Sequence, residues 1–304
     1  MKDNHSDPLI SIIIPTYNRW NFLQQAIASV MAQTYTNWEL FVVDDGSTDQ
    51  TKEGIEAIND KRIHLLSVKH CGNIALLRNT GVKASNGDWI AFLDSDDIWV
   101  PGKLKLQLEY LQQRSFAWGF GGFELMDETG QPIPAKTIEH AGPSGWITKE
   151  LLLNEASPTI GSLMMSRNLF EDVKGFDTAS ELIWREDYEL VLRLSLKAEA
   201  AALPAVLVKV REHRGRSTNA IDDAHKRTAF VYAHFSNLCP AKKLKRIARR
   251  RQAHHVTEMA VITMKQKKYG KAIRQLNSAF WKGDKLRHMI SAVRRGIRKT
   301  NDHH

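Results

Sequence analysis

The sequence predicts an α/β protein built on a mainly parallel, doubly wound sheet, and three observations carry that expectation. Short runs of β-branched apolar residues alternate with stretches whose apolar positions recur at helical spacing. Four such strand runs precede residue 100. Three of them end in a polar or acidic cluster. Alternation of this kind covers both faces of a parallel sheet with helices and leaves a ligand crevice at the strands' carboxyl ends.

Residues 9–14 (LISIII) make the first strand, ended by Pro15 and followed by the loop Thr16-Tyr17-Asn18. Residues 20–32 predict a helix, with Phe22, Leu23, Ile27, Val30 and Met31 at helical spacing. The second strand, 38–43 (WELFVV), stops at Asp44-Asp45-Gly46-Ser47, and a helix over 51–59 follows. A third strand over 63–68, a helix over 74–84 and a fourth strand over 89–93 complete the series, the last stopping at Asp94-Ser95-Asp96-Asp97. Residues 116–180 are rich in Gly and Pro, with weaker strand signals at 120–126 and 162–166, and predict a mixed half. A helix starting near Glu186 and a strand over 205–210 come next. Beyond Pro240 the chain turns helical and basic. Leu286, Met289, Ile290, Val293 and Ile297 alternate there with Arg287, Arg294, Arg295, Arg298 and Lys299, the pattern of a basic amphipathic helix.

At 304 residues, 42% hydrophobic and 25% charged, the chain has the composition of a globular protein, which sets aside disordered and fibrous classes. No run approaches the roughly 18 apolar residues of a spanning helix, and the first seven residues are polar, so the reading is cytoplasmic. Cys71 and Cys239 share no ligand-type spacing and support neither a disulfide framework nor a zinc site. Charge is divided unevenly. Residues 1–239 hold 24 Lys/Arg against 31 Asp/Glu, a net of −7, whereas residues 240–304 hold 19 against 3, a net of +16. The basic stretch calls for an anionic partner, a membrane surface or a nucleic acid.

Four clusters can carry chemistry, each with a plainer alternative. Asp94-Ser95-Asp96 sets two carboxylates past a strand end, oxygen ligands that suit Mg²⁺ or Mn²⁺; the alternative is an acidic cap for a helix near Pro101. Residues 44–49 suit a nucleotide loop or an ordinary turn and N-cap. Trp184-Arg185-Glu186-Asp187-Tyr188 opens a helix, where acids complement the dipole or Asp187 accepts a proton from an acceptor hydroxyl. Residues 211–218, with Arg211, His213 and Ser217, suit a loop over a diphosphate or a solvated basic turn.

Taken in order, Ser11-Ile12-Ile13-Ile14-Pro15-Thr16-Tyr17-Asn18, Val43-Asp44-Asp45-Gly46-Ser47, Arg78-Asn79-Thr80-Gly81, Asp94-Ser95-Asp96-Asp97 and Glu186-Asp187 resemble the inverting family 2 glycosyltransferases of GT-A fold. The resemblance covers about residues 8–220, with a nucleotide-sugar half (8–115), an acceptor-side half (116–220) and a basic helical extension (221–304) outside it. It implies that the loop of Pro15, Thr16 and Tyr17 and Asp45 hold the base and ribose of a nucleotide-sugar donor, Asp45 facing the base, with Asn18 also in the donor site and Arg78 near the ribose and diphosphate. Asp94, Ser95 and Asp96 match the metal and nucleotide-sugar motif, Asp96 the direct ligand of Mn²⁺ or Mg²⁺. Asp187 matches the general base, and His213 with Ser217 matches a late loop over the diphosphate, His213 as a further metal ligand and Arg211 beside it.

The implied reaction is one displacement with inversion, from a donor most often UDP-linked onto a saccharide or lipid-linked saccharide acceptor, in bacterial cell-surface polysaccharide assembly. The basic extension then suits peripheral contact with the anionic inner face of the cell membrane. Three rivals stand beside it. A nucleic-acid-binding protein would explain the tail, but the body is acidic and no nucleic-acid motif is present. A nucleotidyltransferase-like enzyme needs a glycine-rich first loop, and residues 15–20 hold no glycine. A non-catalytic module of the same fold is separable only by a product assay.

Overall fold

The computed structural model describes residues 7–213, 221–282 and 291. Contacts divide the chain into two compact units, one of Met1–Thr178 with Leu190–Arg214, the other of Ala179–Glu189 with Gly215–His304.

The first unit opens with β1 (Ile10–Thr16), α1 (Trp20–Met31), β2 (Trp38–Asp44), α2 (Thr51–Glu56), β3 (Ile63–Ser67), α3 (Ile74–Ala84) and β4 (Trp89–Phe92). It continues with β5 (Ile98–Trp99), α4 (Lys103–Gln113), β6 (Trp118–Met126), β7 (Pro132–Ile138), α5 (Thr148–Leu153), β8 (Met164–Ser166) and α6 (Arg167–Asp172). Helix α7 (Glu186–Lys197) starts in the second unit and runs into the first, and β9 (Ala201–Arg211) closes the sheet. The strand order is β3-β2-β1-β4-β8-β6-β9-β5, with β7 on β6.

Strand β1 is buried along its whole length, because it lies between two parallel neighbours and is covered on both faces. Ile10, Ile12 and Ile14 pack in one cluster with Leu23, Ile27 and Val30 of α1 and Leu104, Leu108 and Leu111 of α4. The next residue along, Ile13, points the other way, against α3. There Gly81 leaves room for contact: a Cβ would stand 2.6 Å from Ile13 Cγ2 and 3.0 Å from Val43 Cγ2.

One expectation needs correction. Pro15 does not end the first strand; it pairs in register with Val43, and Thr16 pairs with Asp44. Proline fits because pairing with β4 stops at Ile13, so the missing N–H interrupts no ladder on that side. The sheet is parallel among β1 to β4 and, as expected of the second half, mixed beyond, since β8 runs antiparallel to both β4 and β6. Strand β6 is longer and more central than its sequence suggests. Its glycines depress strand propensity, yet close neighbours require them: a Cβ on Gly122 would lie 2.1 Å from the Ile138 carbonyl oxygen.

The second unit holds α8 (Ile221–Leu238), α9 (Lys242–Lys265) and α10 (Tyr269–Lys282). Small residues let the helices approach: Ala229, Ala253, Val256 and Ala279 form one cluster, and Ala260, Met264 and Ala272 another. No helix among the described residues is long and apolar enough to cross a membrane.

Candidate active site

Register brings the carboxyl ends of β1, β2 and β4 to one edge. Thr16 lies opposite Asp44, the Asp45 N–H donates to the Thr16 carbonyl at 2.9 Å, and the Leu93 N–H donates to the Ile13 carbonyl at 3.1 Å. Beyond β2, Gly46 at φ +77° allows a tight turn in which the Asp44 carboxylate accepts from the Ser47 N–H. Asp44 therefore performs the turn-forming role, which frees Asp45 for another.

Asp45 is 2% exposed and faces the loop after β3. One carboxylate oxygen accepts from the Cys71 N–H at 2.8 Å and the other from the Gly72 N–H at 2.9 Å, with His70 Nδ1 2.9 Å from the latter. The His70 ring stacks on Tyr17 at 4.3 Å, making an aromatic shelf beside a buried carboxylate. Asn18, at φ +50°, braces the two loops: its N–H donates to Ser47 Oγ and its side chain accepts from the Thr48 N–H. Pro15 and Thr16 are buried, so of residues 15–18 it is Tyr17 and Asn18 that offer surface.

After β4 the chain makes a β-turn, the Asp97 N–H donating to the Asp94 carbonyl at 3.1 Å. This brings carboxylate oxygens of Asp94, Asp96 and Asp97 within 4.8 Å of one another, with Ser95 buried between them. Two arginines and a histidine surround the turn. Arg78 of α3, 2% exposed, donates to Asp94 Oδ1 at 2.7 Å. Arg19 Nη1 and His213 Nε2 both meet Asp96 Oδ2, at 2.6 and 2.9 Å. Helix α4 is preceded by Gly102 with no side-chain cap, so the acidic turn does not serve as its N-cap.

Arg211 takes a different place from a ligand-facing cation. It is 1% exposed; its Nε donates to the Asp96 carbonyl, its Nη1 to the Glu128 carbonyl and its Nη2 to Gln25 Oε1, each at 2.9 Å. Its backbone N–H donates to Asp97 Oδ1 at 2.9 Å, and its guanidinium lies over the Phe22 ring. Burial pulls its pKa below the ordinary arginine range, opposed by the nearby Asp96 and Asp97 carboxylates. The geometry assigns Arg211 to holding the acidic turn.

Asp187 belongs to the second unit, in the first turn of α7 with Glu186 and Glu189. It is half-buried, and its Oδ1 accepts from the Tyr188 N–H at 2.7 Å. Ser217 and, Ser291 apart, the basic helix expected around 286–299 lie outside the described residues. Three residues that sequence reasoning passed over belong to the assembly. Asp97 was legible as the last member of the acidic run, and Arg19 as the residue next to the 16–18 loop. His70 carried no signal, because its place depends on how the loop after β3 folds back on Asp45.

A family model described as "Glycosyl transferase family 2" matches residues 11–173, more than half of the chain. The chain belongs to glycosyl transferase family 2. The matched span includes both loops of the strand edge, Arg78 and the acidic turn. A relative in the family, the Escherichia coli UDP-Glc:alpha-D-GlcNAc-diphosphoundecaprenol beta-1,3-glucosyltransferase WfgD, is 41% identical over 121 residues, 40% of this chain and 48% of that protein. The chain spans about half the length of the curated relatives it matches.

Solved structures agree on the fold. S. aureus TarS 1-349 in complex with UDP-GlcNAc aligns with a TM-score of 0.62 at 15% identity, covering 89% of each chain. Mannosyltransferase PcManGT from Pyrobaculum calidifontis, in complex with GDP-Man and Mn2+, aligns with a TM-score of 0.59 at 17% identity over 95% of this chain and 79% of that one. The fold is therefore GT-A, with C-terminal helices added.

Proposed function

We propose that this chain transfers a sugar, with inversion, from a UDP-linked donor to a hydroxyl of a saccharide or lipid-linked saccharide in bacterial cell-surface glycan assembly. The observation that carries the reading is the strand edge at which the Asp45 carboxylate, the Tyr17–His70 shelf, the Arg78–Asp94 pair and the Asp94/Asp96/Asp97 turn lie on adjacent loops. The names of the relatives support the donor and acceptor classes: WfgD uses UDP-Glc and a diphosphoundecaprenol-linked sugar, and TarS was crystallised with UDP-GlcNAc.

In this reading the base stacks at Tyr17 beside Asp45, and Asp45 keeps its loop in place through the Cys71 and Gly72 amides. Arg78 orients Asp94, and Arg211 orients the turn that carries Asp96. Three carboxylates within 4.8 Å with an imidazole beside them are a donor set that fits Mg²⁺ or Mn²⁺, so Asp94, Asp96 and His213 are the proposed ligands. When bound, such a cation supplies charge neutralisation for the departing diphosphate. The local guanidinium groups are already matched by the turn's own carboxylates and carbonyls. Asp187 accepts the proton of the acceptor hydroxyl as that oxygen bonds to C1 and the C1–O bond to the diphosphate breaks on the opposite face. An α-linked donor thus yields a β-linked product.

The test is a product assay with a panel of nucleotide sugars and a polyprenyl-diphosphate-linked acceptor, with the anomer assigned by NMR. Asp187→Asn is expected to lower turnover by about 10²–10⁴-fold while donor affinity is unchanged, as for loss of a general base. An α-linked product, or an Asp187→Asn variant as active as the parent, overturns the mechanism.

A further inference from the structure

The second unit carries an apolar surface that its described helices α8, α9 and α10 leave uncovered. Along α10, Ala272, Leu276 and Ala279 turn toward α9, packing in the clusters with Ala260, Met264 and Ala253. At about 100° per residue, Tyr269, Ile273 and Phe280 fall within about 40° of one another, beside that buried stripe, with Trp281 further round. All four are exposed, Tyr269 at 52%, Ile273 at 58%, Phe280 at 52% and Trp281 at 86%. The apolar face of α10 is therefore wider than the neighbour it packs against.

The surroundings of this face have one sign of charge. Lys265, Lys267, Lys268, Lys271 and Arg274 are all exposed around the end of α9 and along α10. No acidic residue occurs anywhere from position 259 to position 282. Two aromatic rings, a tyrosine and an isoleucine at the level of a cationic rim are the combination that enters the headgroup layer of a bilayer. Apolar groups there leave water, and lysine stems carry their ammonium groups up to the phosphates. A nucleic acid would use the cations but gain little from Ile273, and a protein partner would have to be acidic around an apolar centre.

We propose that the Tyr269–Ile273–Phe280 stripe of α10, with Trp281 on its flank, docks on an anionic bilayer surface, lying in the interface without crossing it. The inference is independent of the transferase reading, because it uses none of the residues of the strand edge and would hold for a chain that bound no nucleotide. It gives the expected membrane contact a named surface within the described residues.

The test is co-sedimentation of the full chain with phosphatidylcholine vesicles, with and without phosphatidylglycerol. The parent is expected to pellet with the phosphatidylglycerol vesicles and to be released by salt. Phe280→Ser/Trp281→Ser is expected to lower the partition coefficient by more than about tenfold, as loss of two large apolar groups from an interface requires. UDP affinity of that variant should stay at the parent's value, which separates this test from the donor-site reading. Because Trp281 is exposed, the double variant is expected to keep the parent's circular dichroism. Trp281→Phe, which retains the apolar surface, should still bind but lose part of the blue shift in tryptophan emission on adding vesicles. Equal binding by the double variant overturns the proposal. So does a parent that ignores anionic vesicles while binding oligonucleotides, or a double variant whose only change is from dimer to monomer.

Discussion

Arg211→Met separates two roles for a single cation. In the structure the guanidinium makes three hydrogen bonds of 2.9 Å, to the Asp96 and Glu128 carbonyls and to Gln25, inside a site where Arg211 is 1% exposed. Methionine fills a similar volume but leaves those acceptors without their donor. Removing one partner of a buried charged network typically costs about 3–5 kcal/mol, a large share of a total near 5–15 kcal/mol. At about 2–4 °C per kcal/mol for a chain of this size class, the melting temperature should fall by roughly 6–20 °C. The assay is thermal unfolding by circular dichroism, paired with isothermal titration of UDP. A strut predicts a large stability loss that Arg211→Lys only partly restores, because lysine lacks the planar fork. A direct diphosphate ligand predicts the reverse: near-parent stability and a large loss of UDP affinity. A shift under about 2 °C, less than 1 kcal/mol on the same scale, with UDP affinity lost would refute the strut.

Other predictions concern the same unit. Asp45→Ala removes the acceptor of the Cys71 and Gly72 amides, and should cost about 1–3 kcal/mol in urea unfolding while weakening UDP binding. Gly81→Ala places a methyl 2.6 Å from Ile13 Cγ2 and should destabilise by about 1–3 kcal/mol; unchanged stability would mean that α3 moves freely off the sheet. Lys103 is buried, with its ammonium 4.1 Å from the Trp99 ring centroid, and burial pushes its pKa well below the usual lysine range. The unfolded chain therefore binds the extra proton, so the penalty is full at low pH and fades as pH rises toward the ordinary value of about 10.5. Lys103→Met should thus raise the melting temperature near neutral pH, with a smaller gain at pH 10 than at pH 7.

How far the fold could be read depended on the kind of strand. Strands β1 to β4 announce themselves because each is a compact apolar run, and the helix over 74–84 matches α3 residue for residue. The second half is fainter: β6 with three glycines and β8 with three residues gave only weak signals, at 120–126 and 162–166, and the two-residue β5 gave none. The convergence of Asp45, Asp94 and Asp96 on one edge was legible, since loops at the strand ends of an α/β sheet meet by topology; Arg78, inside α3, entered only through the family resemblance. The inward turn of Arg211 was not, because a cation beside a loop reads the same whether it faces solvent or is folded beneath an acidic turn. The pairing of His70 with Tyr17 is a contact across 53 positions of the chain and leaves no local trace.

If the strand edge is a nucleotide-sugar site completed by a divalent cation, nucleotide and metal must bind it together. The most direct test is isothermal titration of UDP, with and without Mn²⁺, on the parent and on Asp96→Ala. Mn²⁺ should strengthen UDP binding to the parent by about tenfold or more, on the order of 1.4 kcal/mol, and should no longer matter in Asp96→Ala. UDP affinity indifferent to Mn²⁺ in the parent, or an Mn²⁺ effect that survives in Asp96→Ala, would contradict a metal-completed donor site.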